Sequence, residues 1–100
     1  MQDDVAIRIF RGAKGWMEGA ITSPTTLRYK NDILKLVADH YGEMNTHYIN
    51  ISKASAYSSE IQKEIILAEL ESIIMELDGK TSKKLNTVQA ASQKQIEPPL

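Results

Sequence analysis

The stretch from Ser59 to Asp78 constrains this chain more than any other. Ile61, Ile65, Ile66, Leu67, Ala68, Leu70, Ile73, Ile74, Met75 and Leu77 recur at helical spacing, yet they cover far more than one narrow stripe. Gln62, Glu69 and Glu76 fall seven residues apart and mark the polar line. Both ends are signposted. Ser59 followed three residues later by Gln62 has the form of a capping box, and Gly79 followed by Lys80 has the form of a helix stop. The pattern predicts a helix over Ser59–Asp78 whose apolar arc needs contacts on two sides.

Such cover is scarce in a chain of 100 residues. A domain of this size buries roughly 60–65 % of its surface even if all of it folds. From Lys80 onward the apolar residues thin to Leu85, Val88, Ala90, Ala91, Ile96 and Leu100, among Lys, Ser, Thr, Gln and Asn, with Pro98-Pro99 near the end. That composition does not offset its own ordering entropy. The expected division is a helical domain over 1–79 and a flexible tail over 80–100, with Ile96 and Leu100 as anchors should the tail dock on a neighbour.

A second helix is marked by Ser23 as a cap, Pro24 at the first helical position and Gly42 as a stop. Leu27, Leu34, Val37, Tyr41 and Met44 keep three-four spacing along it, and Ile33 and Leu36 widen that face. The span predicted is Pro24–Tyr41. Residues 42–58 are rich in Asn, Ser and Thr, which favour caps and turns. His47–Ile51 fits either an extended piece or a short helical turn, and the spacing of Ala54, Tyr57 and Ile61 allows the last helix to start early.

The N-terminal stretch has two readings. Asp3 or Asp4 caps a short helix over Asp4–Arg11, with Val5 above Ile9 and Ala6 above Phe10, or Trp16–Ile21 returns as a hairpin along Val5–Phe10. Gly12, Gly15 and Gly19 argue against a longer helix at roughly 1 kcal/mol each relative to alanine. The fold class expected is all-α: a small domain of two to three helices with a flexible C-terminal tail.

Composition narrows the chemistry. Cysteine is absent, which removes disulfides, thiolate metal sites and cysteine nucleophiles and points to a cytoplasmic setting. Met1-Gln2-Asp3-Asp4 is acidic where a signal peptide is basic, and no apolar run approaches a membrane span. The net charge of −1 conceals a gradient: residues 1–53 sum to +1, residues 54–79 to −5 and residues 80–100 to +3. The acidic block is thus one segment, most of it the helix predicted over Ser59–Asp78, and a basic tail follows it.

Candidate sites are few. His40, Glu43 and His47 would share a face if the helix ran through Gly42, but the glycine and Asn45-Thr46 interrupt it. No metal or cofactor is expected. The carboxylates fall on polar faces, and the glycines match no phosphate-binding spacing. The residues therefore point to a protein that is not an enzyme, an adaptor, regulator or assembly subunit, with a place in a viral particle among the options. Its partner is another protein or a second copy of itself, and no membrane role is expected. The surplus face of the last helix, Ile66, Leu70, Ile73 and Leu77, is the expected interface, with Trp16 as a candidate anchor. The alternative is a small nucleic-acid-binding regulator that grips phosphates with Arg8, Arg11, Lys14 and Arg28 beside Trp16.

Overall fold

A computed structural model describes the backbone over residues 2–96 and side chains as far as Lys80. It contains four α-helices and no strand among the described residues: α1 Asp3–Glu18, α2 Ser23–Tyr41, α3 Thr46–Lys53 and α4 Ser59–Ile96, with a 3-10 turn at Ala54–Ala56. The all-α class is the observed one.

α1 resolves the N-terminal ambiguity as one long helix, without a hairpin and beyond the expected end at Arg11. The reason lies in a seam that runs four, three, four and three residues apart: Ala6, Phe10, Ala13, Met17 and Ala20, all buried. Burying Phe10 and Met17 contributes about 1.5–3 kcal/mol each, which exceeds the cost of about 1 kcal/mol for each of Gly12 and Gly15. The facing seam on α4 is Ile66, Leu70, Ile73 and Leu77, also buried. Small residues on α1 alternate with large ones against this branched row, as knobs require holes.

α1 runs antiparallel to α4. At one end Lys63 reaches the carbonyls of Glu18 and Ala20; toward the other, Arg11 lies 3.6 Å from Asp78. α2 runs parallel to α4, since Ser59 Oγ donates to Ser23 Oγ (2.7 Å) where both helices begin. α3 is antiparallel to α4, with His47 against Glu69 and Glu76. The fold therefore wraps three helices around the first half of α4.

Caps fall one residue earlier than the spacing suggests. Thr22 rather than Ser23 accepts from Thr25 N, while Pro24 holds its expected place in the first turn. Ser58 rather than Ser59 accepts from Ile61 N, and Gln62 Nε2 reaches back to the Tyr57 carbonyl. The loop after α2 contains a true helix, α3, because Asn45 Oδ1 accepts from His47 N at 2.8 Å and supplies a start signal. Gly42, with φ of 90°, breaks the chain just before it.

Gly79 is not a stop. α4 passes through it to Ile96, and Gly42 alone among the described glycines has positive φ. Residues 80–96 contain no proline, so nothing in the covalent backbone forces the hydrogen-bond ladder to end at Gly79. At 1.5 Å per residue, 38 residues span about 57 Å, matching the longest dimension of 59 Å against 25 and 20 Å. The side chains of the tail predicted over 80–100, apart from Lys80, and its anchors Ile96 and Leu100 lie outside the described side chains.

Candidate interaction surface

Ile66, Leu70, Ile73 and Leu77 do not form a surface. Each is fully buried within the single chain, in the core shared with α1, Ile33 and Val37 of α2 and Ile51 of α3. α1 covers these four because it is a whole helix rather than a short one. They hold the domain together and leave nothing to offer a partner. Trp16 is 45 % exposed and stacks on Tyr29, with ring centroids 6.0 Å apart and planes 27° off parallel.

The surplus of α4 lies elsewhere. Ile61, Ala68 and Met75 recur every seven residues, with Ile65 and Ser72 between them, on the flank turned away from α1. Ile61, Ala68 and Met75 are exposed, Met75 by 69 %, and Ile65 is half-buried. Tyr57, also exposed, sits beside this row. Together with Asn50, Lys53, Ala54 and Glu69, Tyr57, Ile65 and Ala68 line an open groove of about 400 Å³ between α3 and α4. The spacing of Tyr57 and Ile61 was visible in the sequence; that the row through Met75 stays uncovered was not.

Acidic side chains border the row. Glu60, Glu64 and Glu71 are exposed along one edge and form no ion pair with a described residue. On the α3 side Glu69 and Glu76 are held in place. His47 Nδ1 lies 3.4 Å from Glu69 and His47 Nε2 3.0 Å from Glu76, and Asn50 Nδ2 donates to Glu69 at 2.6 Å. His40 turns to a different partner, Asp3 at 3.3 Å, and packs edge-on against Phe10 and Tyr41. The two histidines and Glu43 therefore do not converge, and the described residues contain no group of three or more ligands suited to a metal.

Among the described residues, two ionisable side chains are shifted by burial. Lys30, 3 % exposed, sits in the α2 seam between Thr26 and Ile33, with its ammonium donating to Ser55 Oγ; desolvation lowers its pKa. The Tyr41 hydroxyl is pushed up to about 12, by burial first and then by the charges of Glu76 and Asp3. They stand apart, Lys30 near the start of the bundle and Tyr41 at its far end, so they do not form an acid–base pair.

The basic residues of the alternative reading lie on two helices. Arg8, Arg11 and Arg28 are exposed and Lys14 half-buried, with Arg28 on α2 and the others on α1. Arg11 is engaged by Asp78. No helix among the described residues is long and apolar enough to cross a membrane. No family model matches the chain, and neither a curated protein nor a solved structure matches it.

Proposed function

We propose that this chain is a non-enzymatic interaction or assembly module, a small adaptor, regulator or subunit, that presents the outer flank of α4 to another protein or to a second copy of itself. The observation that carries this reading is the row of Tyr57, Ile61, Ile65, Ala68 and Met75, which the chain's own helices leave open. A contiguous apolar strip rimmed by polar residues is the usual form of a helix-in-groove contact. The absence of cysteine suits a reducing interior such as the cytoplasm.

Site-specific photo-crosslinking tests the reading. A photoreactive residue at Met75 or Ala68 is expected to give nuclease-resistant protein adducts in the cells that make this chain, whereas one at Arg28 gives none. If adducts instead form only at Arg8, Lys14 or Arg28 and vanish with nuclease, the nucleic-acid reading replaces this one.

A further inference from the structure

We infer that the outer flank of α4 receives the basic second half of α4 from another copy of this chain, in an antiparallel α4–α4 pair; this rests on the interaction reading above and names its partner. The argument begins with charge. Residues 59–78 hold six carboxylates against Lys63 alone, whereas residues 80–96 hold four lysines and no carboxylate. One continuous helix thus carries an acidic half and a basic half. Antiparallel pairing sets each acidic half against a basic one, twice, about a two-fold axis, whereas parallel pairing sets like against like.

Cover and length agree with this pairing. Leu77 is the last fully buried residue among the described side chains of α4, close to the point where the charge of the helix changes sign. The open row from Ile61 to Met75 rises about 21 Å, and Lys80–Ile96 rises about 24 Å. Leu85, Val88 and Ala91 fall within an arc of about 120° on that basic half. The same chain cannot fold back onto itself, because α4 is an unbroken helix through Gly79 that holds its two halves end to end.

Charge reversal tests the pairing by sedimentation equilibrium of the full chain. The wild type is expected to be a dimer at about 20 mM salt and to weaken strongly at about 500 mM. Lys83→Glu/Lys84→Glu/Lys94→Glu and, separately, Glu60→Lys/Glu64→Lys/Glu71→Lys are each expected to raise the dimer dissociation constant at least about 100-fold, as several opposed like charges would. Mixing the two reversed chains restores a one-to-one dimer, because every contact is again between opposite charges. Circular dichroism and thermal unfolding confirm that each variant keeps its fold. A wild type that stays monomeric, a dimer indifferent to either reversal, or reversed chains that fail to pair each overturns the inference. A monomer that still crosslinks another protein through Met75 overturns only this inference; a monomer without such adducts overturns the interaction reading too.

Discussion

The Nζ of Lys63 lies 2.8 Å from the carbonyl oxygen of Ala20 and 3.1 Å from that of Glu18. α1 has no basic residue in its own last turn, so α4 supplies from outside the positive charge that a helix C-terminus attracts. The contact also fixes where the start of α4 meets the end of α1. Lys63→Met is expected to cost about 1–2 kcal/mol, since it strands carbonyls that a charged donor satisfies. Urea denaturation measures this, and a variant as stable as the wild type would remove the capping role.

Leu70 and Met75 separate the two flanks of α4. Leu70→Ala opens a cavity under α1 and is expected to cost about 2–5 kcal/mol. Met75→Asp lies on the open row and is expected to change stability by no more than about 0.5 kcal/mol while abolishing association. Chemical denaturation and sedimentation on the same pair of variants give both readouts. A large loss of stability at Met75 would mean that the row packs within the chain.

Gly12 and Gly15 sit inside α1 with no neighbouring atom within 4 Å of where a Cβ would be. Gly12→Ala and Gly15→Ala are each expected to stabilise the chain by about 0.5–1 kcal/mol, because alanine has less backbone entropy to lose in a helix. Gly42→Ala goes the other way, since φ there is +90°. Thermal melts of the three variants check the signs.

Alkaline pH is expected to act in two opposite steps. Burial holds the Lys30 ammonium below its ordinary 10.5, so between the lowered value and 10.5 the unfolded chain binds more protons and stability rises with pH. Tyr41 is pushed up to about 12 from 10.0. The unfolded tyrosine therefore loses its proton first, and stability falls as pH climbs from about 10 toward 12. Urea midpoints across this range, measured also on Lys30→Met and Tyr41→Phe, should lose the rise in the first variant and the fall in the second. Persistence of both slopes would refute the assignment.

Local signals located the helices well where a cap and a period coincide. Pro24 and Gly42 frame α2 as they stand in the sequence, and Gln62 reaches back at the start of α4. They failed where tertiary burial outweighed propensity. α1 runs through two glycines because Phe10 and Met17 need cover, and Gly79 continues a helix because nothing there draws the backbone into the left-handed region. The short α3 stood open between an extended piece and a helical turn over His47–Ile51, because its eight residues carry little periodicity and its cap, Asn45, lies in a run of turn-formers.

Residue order alone is enough to read α2 and the start of α4 as helices, to see that α4 has more apolar surface than one contact can hide, and to place its change of charge sign near Gly79. These are properties of spacing and composition, which do not depend on what packs where. Which flank of α4 is spent on the core is settled by packing. Spacing marks both Ile66-Leu70-Ile73-Leu77 and Ile61-Ile65-Ala68-Met75 as apolar rows, and the first, expected as the outward surplus, is the one that is buried. The choice follows from α1, whose alternating Ala6, Phe10, Ala13 and Met17 seat against the row of four large branched side chains. The row broken by Ala68 and Ser72 is left facing outward, because a shallower row offers less area to bury.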